Sequence, residues 1–402
     1  MLESGMGERL KSLKLNKRLM FGMRFFIELK TIFAIVQLFY LSRGLTTSQI
    51  VYLSLFWSLT TFVCDIPSSV LADKFGRKKL VMAGIFFISI SNIFLFLGHN
   101  YWQFILFSII NAIGYSFATG ADTALLYDSL KESGEEDSVR RVSGKYFSAA
   151  SLPKIIMPLI GSLIAKNLLP WQFTVVIGID FLGTIIAFIL ASFLTEPNVH
   201  EKVKNNLGIL REGFNLVMSD KILFKFALNK SFVFEASFVY WRIYQVVLQQ
   251  AHMPVIFLGL VYTVFQGIMF LTHWNTERVQ KFVGLLNFAL IPQIVGLVGI
   301  VLTLITSNLV VLFVSCVAII LVGTFRDPFF LTQMHARIPS FNRATATSTL
   351  NTIKNIMDIP LLLLIGYLAS FNTNYVLVVS GALFAISILF IRIKKGDIVV
   401  NS

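Results

Sequence analysis

The chain has 402 residues, 56% of them hydrophobic and 14% charged, with a formal net charge of +13. A soluble protein carries roughly a quarter charged residues, so this composition, with a mean hydropathy of +0.76 and 39 phenylalanines, excludes an aqueous globular fold and indicates an integral membrane protein. Cys64 and Cys316 both lie inside apolar runs, where they read as small packing residues, and no Cys/His spacing points to a disulfide or a metal site.

Arg9, Lys11, Lys14, Lys17 and Arg18 precede the first long apolar segment, which lacks the small-residue cleavage site of a removable signal peptide. A spanning helix needs about 20 apolar residues. Such segments lie near 20–42, 48–71, 80–98, 102–126, 143–165 and 171–194, and again near 221–250, 255–274, 282–305, 309–334, 344–370 and 374–392. The expected fold is therefore an all-α membrane protein with twelve transmembrane helices.

Lys and Arg concentrate at both termini and in every even-to-odd loop: DKFGRKK, KESGEEDSVRR, the 195–220 stretch, NTERVQK, HARIPSFNR and RIKKGD. The opposite loops hold only Arg43 and Lys166. This bias places both termini in the cytoplasm of a protein of the plasma membrane. It also accounts for the positive charge without a nucleic-acid partner.

The polar stretch 195–220 divides the chain into two six-span halves, 1–194 and 221–402. Within this linker LGILREGFNLVMSD has an amphipathic pattern suited to the membrane surface. The halves echo one another: GADTALLYDSLKESGEEDSVRRVSGKYF and TFRDPFFLTQMHARIPSFNRATATSTLN each run from a late-span acid, Asp122 or Asp327, through a basic loop to the next span. Six-plus-six repeats are the build of a secondary transporter, with the substrate site between the halves near the midplane.

Between spans 2 and 3 the chain reads Ser69-Val70-Leu71-Ala72-Asp73-Lys74-Phe75-Gly76-Arg77-Lys78-Lys79. This resembles the signature loop of the major facilitator superfamily, G-x-x-x-D-x-x-G-R-K/R-x, with Ser69 in place of the first glycine. Together with the twelve spans and the central linker, the resemblance covers essentially the whole chain. It implies a gating role for Asp73, Gly76 and Arg77, with Asp73 set against the start of span 11 and Arg77 paired with the acid ending span 4, here Asp128. Two positions depart from the proton-coupled drug exporters of that superfamily. Ile110 stands where an arginine precedes Gly114 by four residues, and span 5 offers Met157-Pro158-Leu159-Ile160-Gly161-Ser162 in place of G-P-x-x-G-G.

Spans 3, 9 and 12 carry almost no ionisable residues and span 6 only Asp180, as lipid-facing helices require, because charge in hydrocarbon costs several kcal/mol. Span 7 instead aligns Glu235, Phe238, Arg242, Gln245 and Gln249 on one helical face. Span 4 aligns Asn111, Tyr115 and Asp122, span 8 aligns Tyr262, Gln266 and His273, and span 11 carries Asn351, Lys354 and Asp358. Arg24 and Glu28 are four apart and suited to pair, as are Lys354 and Asp358.

Glu235, Asp122, Asp327 and Glu28 are the candidates for carrying protons. Arg24, Asn111, Tyr115, Phe238, Arg242, Gln245, Gln249, Tyr262, Gln266 and Arg326 are the candidates for lining a substrate cavity. No GxxxxGK[ST] sequence is present, so an ion gradient, most simply protons, is the expected energy source. The expected activity is proton-coupled efflux of amphipathic, drug-like organic compounds by alternating access, performed by a monomer without a cofactor or enzymatic chemistry. The alternatives are uptake or exchange of a small polar or anionic metabolite and, from another class, a non-transporting sensor or lipid-handling protein on the same fold.

Overall fold

A computed structural model describes residues 2–198, 215, 217–338 and 343–399. The regular structure among them is helical. Eight segments are long and apolar enough to cross a membrane, and they fall on spans 2–6 and 8–10. The other four spans are equally visible but depart from a plain apolar rod. Span 1 is interrupted: α1 (Leu2–Ile27) stops, a 3-10 turn covers Thr31–Ala34, and α2 (Val36–Ser42) follows. Span 7 divides likewise into α9 (Lys221–Trp241) and α10 (Tyr244–Gln250). Span 11 is α16 (Arg343–Ala369), diluted by its Ser/Thr-rich start and by Lys354 and Asp358. Span 12 is α17 (Thr373–Leu389), apolar but only 17 residues long. The chain is an all-α membrane protein of twelve spans in two pseudo-symmetric halves.

The remaining elements are α3 (Thr47–Phe75), α4 (Arg77–Leu97), α5 (Tyr101–Ala118), α6 (Ala121–Glu132), α7 (Val139–Ile164) and α8 (Pro170–Ser192) in the first half. The second half adds α11 (Val255–Trp274), α12 (Thr276–Val283), α13 (Leu285–Ile305), α14 (Leu309–Phe325) and α15 (Asp327–His335). By compactness the chain forms one unit of Met1–Leu45 and Phe56–Val203 and another of Thr46–Leu55 and Lys204–Ser402. Of the amphipathic stretch 207–220, residues 207–214 and 216 lie outside the described residues, as do the side chains of His273 and Asn351.

The first unit packs around Met20, Val81, Ile85, Leu125 and Tyr146. There α4 and α5 touch backbone to backbone. A Cβ on Gly84 would come within 2.7 Å of the Gly114 carbonyl oxygen, and one on Gly114 equally close to that of Gly84. Small residues permit this approach where no hydrophobic force drives helices together in lipid. The second unit packs around Phe226, Phe288, Phe329, Phe330 and Met334.

Up to the start of spans 4 and 10 the halves repeat one another at a displacement of 208 residues. Ile35 (φ −135°, ψ 8°) and Ile243 (φ −133°, ψ −3°) open α2 and α10. Both short helices close with the same pair of bonds, Gly44 N to Leu41 O and Leu45 N to Tyr40 O in one, His252 N to Gln249 O and Met253 N to Leu248 O in the other. Gly44 (φ 83°) and His252 (φ 59°) occupy the same left-handed position. Gly76 and Gly284, both at positive φ, start α4 and α13. Asn100 and Asn308 cap α5 and α14 through their side chains.

The two breaks differ in what satisfies them. In hydrocarbon every backbone amide needs a partner, and the wider break, after Ile27, leaves Thr31 and Ile32 without helical acceptors. Asp180 of α8 supplies them, accepting from Thr31 N at 2.7 Å and from Ile32 N at 3.2 Å. The narrower break keeps its own bonds, Arg242 N to Phe238 O and Ile243 N to Tyr240 O.

Candidate functional site

The DKFGRKK loop is built around Gly76, whose φ of 99° and ψ of 146° suit glycine alone. The turn exposes the N-terminus of α4, where free amides favour an anion. Glu196, just past the end of α8, fills that place, accepting from Arg77 N at 2.8 Å and from Lys78 N at 2.6 Å. Arg77 turns inward, pairs with the buried Asp128 of α6 and donates to the Ala124 carbonyl at 2.9 Å. Asp73 is exposed on the last turn of α3. Its expected neighbours at the start of span 11 have side chains outside the described residues.

The loop is tied to the chain's beginning. Arg9 pairs with Glu132 at 2.6 Å and donates to the Glu196 carbonyl at 3.0 Å. Asn16, fully buried, bonds Ser129 and both the carbonyl and the amide of Thr195. Lys17 pairs with Glu135. The N-terminal half of α1 is thus fastened to α6 and to the segment leaving α8.

Within the first unit's membrane region, the pair expected between Arg24 and Glu28 is present at 3.1 Å, and Arg24 also meets Asp122 at 3.3 Å. Lys154 adds a second cation to Glu28 at 3.3 Å, and the Tyr146 hydroxyl donates to Asp122 at 2.6 Å. Asp122 sits where span 4 breaks at Gly120, accepting from Gly120 N and Thr123 N. Farther along span 4, Asn111 donates to Ser91 at 3.0 Å and accepts from Trp57 at 3.4 Å. Tyr115 packs on Trp57 and is half exposed.

In the second unit Arg242 grips Asp358 with one nitrogen, at 2.7 Å and 3.0 Å from its two oxygens. Its other terminal nitrogen is 4.0 Å from Glu235. Glu235 is fully buried, and neither carboxyl oxygen has a hydrogen-bond donor. Phe238 lies under the guanidinium, 4.1 Å from its carbon, while Lys354 sets its ammonium over Phe234 at 4.7 Å. The close cation of Asp358 is therefore Arg242 of another helix, where the four-residue spacing pointed to Lys354.

Other candidates have local roles. Asp327 is half exposed and pairs with Lys230 at 3.0 Å. Arg326, buried, donates to the Asn229 side chain and the Ala289 carbonyl, both at 2.9 Å. Gln293 and Ser387 extend that seam across α13 and α17. Gln245 is buried and donates to the Tyr244 hydroxyl at 3.3 Å. Gln249 and Gln266 are half-buried. Tyr262 joins Trp241, Tyr244 and Phe265 in an aromatic cluster beside the span-7 break.

Sequence reasoning missed Glu196, Tyr146, Lys154 and Asn229. Only Glu196 left a trace, an acid followed by Pro197 just beyond a span.

Twelve spans, two repeated halves broken at equivalent points, and charges gathered on spans 1, 4, 7 and 11 define a membrane transporter. A family model of the Major Facilitator Superfamily matches residues 19–360, and the chain belongs to that superfamily as a multi-pass membrane protein. Macrolide efflux protein A of Streptococcus pyogenes is 24% identical over 204 residues, 48% of either chain. An uncharacterized transporter of Buchnera aphidicola subsp. Acyrthosiphon pisum is 25% identical over 179 residues, 44% of this chain and 43% of its own. The chain thus spans about half the length of the curated relatives it matches. Among solved structures, the bacterial homolog of the human lysosomal transporter Spinster, inward-facing and unoccupied, superposes with a TM-score of 0.73 at 16% identity, covering 95% of this chain and 96% of that one. The nucleoside transporter NupG gives 0.74 at 13% identity, covering 94% and 97%. Both share its fold.

Proposed function

We propose that the chain is a proton-coupled exporter of amphipathic organic compounds. It works as a monomer in the plasma membrane with both termini cytoplasmic, and halves 1–194 and 221–402 alternate access. The observation that carries the proton is Glu235, a carboxyl group removed from water whose oxygens accept no hydrogen bond, 4.0 Å from an arginine that already holds Asp358. A carboxyl so placed can gain and lose a proton without dismantling a fold-holding bond. The macrolide efflux relatives support the direction of transport. The cluster of Trp241, Tyr244, Tyr262 and Phe265 supports an aromatic or amphipathic cargo. Asp73, Gly76, Arg77 and Asp128 serve as the cytoplasmic latch, biasing one state of the gate.

The reading as a carrier of anionic metabolites relies on Arg242 and Arg326 as anion ligands. Arg242 is held by Asp358, and Arg326 by Asn229 and Ala289, which favours export of compounds without an anionic group.

Expression in a drug-sensitive bacterial host, with dye accumulation measured with and without a protonophore, tests the proposal. Resistance that the protonophore abolishes is expected. Absence of resistance across chemically varied compounds overturns export, and resistance that survives the protonophore overturns proton coupling.

A further inference from the structure

The guanidinium of Arg242 is only half used. Its Nη2 bonds both oxygens of Asp358, whereas its buried Nη1 has no hydrogen-bond partner and faces Glu235 Oε2 at 4.0 Å. Glu235 mirrors it with two buried oxygens that lack donors. Hydrogen bonds of this kind form at about 2.7–3.2 Å, so a shift of the guanidinium by roughly 1 Å makes the second contact. An arginine with five donors in a rigid fork can serve either carboxyl, and turning the whole fork onto Glu235 takes Nη2 away from Asp358.

One further charge stands close to these three. Among the described residues of α16 it is Lys354, whose ammonium lies over Phe234 and within electrostatic reach of both Glu235 and Asp358. From α17 comes the neutral Ser380, which donates to the Ala236 carbonyl at 2.7 Å. On α14 Cys316 is buried and neutral by chemistry, and Asp327 of α15 is taken by Lys230. Arg242 itself occupies the junction where α9 ends and α10 begins, so its side chain cannot move far without the backbone of the break.

We propose that Arg242 is a counter-ion handed between Asp358 and Glu235, and that this hand-over links protonation to movement at the break in span 7. The proposal rests on the proton-coupled reading. In the arrangement seen, Asp358 is the carboxylate that Arg242 neutralises and Glu235 holds the proton. In the other, Glu235 releases its proton and takes the guanidinium, while Asp358 accepts a proton. One proton leaves one carboxyl and one joins the other, so the buried site keeps the same charge throughout. Moving an uncompensated charge in hydrocarbon costs several kcal/mol; the exchange avoids it.

The test is infrared difference spectroscopy of the purified chain in lipid vesicles at neutral pH, following the carbonyl stretch of protonated carboxylic acids. Wild type should give a band that Glu235→Gln removes. Asp358→Asn should remove it as well, because Arg242 then passes to Glu235 and ionises it. Arg242→Gln should enlarge the band, since both carboxyls lose the guanidinium and only Lys354 remains beside them, and this variant decides the matter if Asp358→Asn does not fold. A wild-type band untouched by Glu235→Gln, a band that persists in Asp358→Asn, or one unchanged in Arg242→Gln overturns the hand-over. The spectra need no transported compound. A chain that exports nothing yet gives these band changes overturns the exporter and keeps the hand-over, and proton-driven export with unchanged bands does the reverse.

Discussion

Glu196 closes the N-terminus of the helix that Arg77 begins: its carboxylate accepts from the Arg77 amide at 2.8 Å while the Arg77 side chain reaches away to Asp128. One arginine therefore ties three elements together, the end of α8 through its backbone and α6 through its side chain. An anion at a helix N-terminus contributes about 0.3–1 kcal/mol, and up to about 2 kcal/mol when partly buried. Glu196→Gln should therefore lower the melting temperature in detergent by a few degrees. An unchanged melting temperature would mean that the two amides find another acceptor.

Gly76→Ala should cost more. Its backbone conformation is strained for any other residue by about 1–3 kcal/mol, and the added Cβ would also meet the Glu196 carboxyl at 3.1 Å. A melting temperature above that of Glu196→Gln would contradict this ordering.

Arg77 and Asp128 form a buried pair, 6% and 0% exposed. Removing one member of such a pair costs about 3–5 kcal/mol because the other charge is stranded, whereas replacing both costs far less. Asp128→Asn and Arg77→Met should each destabilise strongly, and the double variant should lose less than their sum. A double-mutant cycle on unfolding in detergent measures this, and additive losses would dissolve the coupling.

His252 takes the left-handed position that Gly44 takes in the first half. That conformation costs a non-glycine residue about 1–2 kcal/mol. His252→Gly should stabilise the protein, and Gly44→Ala should destabilise it by a similar amount. Thermal melting of the two variants side by side gives the signs, and a loss on His252→Gly would reveal a contact made by the imidazole.

Asp397, beyond the last span, is governed by opposing effects. Burial pushes its carboxyl up, but the hydrogen bonds from Lys225 at 2.6 Å and from the Lys394 amide at 2.8 Å outweigh it and hold the group below the ordinary carboxylate range. A carboxyl lowered on folding stabilises the protein above its unfolded value of about 3.9. That contribution disappears as pH falls through the lower, folded value. Melting curves of wild type and Asp397→Asn should thus differ at neutral pH and converge in acid. A constant gap down to the lowest pH would rule out this linkage.

Much of this was legible in the sequence because membranes write in a coarse hand. Twelve apolar stretches and a one-sided distribution of Lys and Arg are properties of whole segments, and DKFGRKK led directly to the Arg77–Asp128 pair. Three features stayed hidden. The break after Ile27 lies in Thr31-Ile32-Phe33-Ala34-Ile35-Val36, a β-branched run that reads as continuous apolar helix and is interrupted only because a distant carboxylate, Asp180, offers its amides an alternative. Asp358 looked like the partner of Lys354 because four-residue spacing can be read along one helix, whereas its contact with Arg242 spans 116 residues. Glu196 acts on backbone amides, which every residue carries, so nothing in the loop's side chains announced it.

The displacement of 208 residues has a historical meaning. Breaks, caps and turns recur at positions whose side chains no longer agree: Gly44 against His252, Arg77 against Leu285. A gene that doubles itself inherits two copies of every hinge but needs the old chemistry in only one. In this chain the first copy's hinge is secured by an aspartate, Asp180, at the backbone, while the second copy's carries its arginine free of that duty. The arginine at the second break is thereby left to bind side chains, as its hold on Asp358 shows.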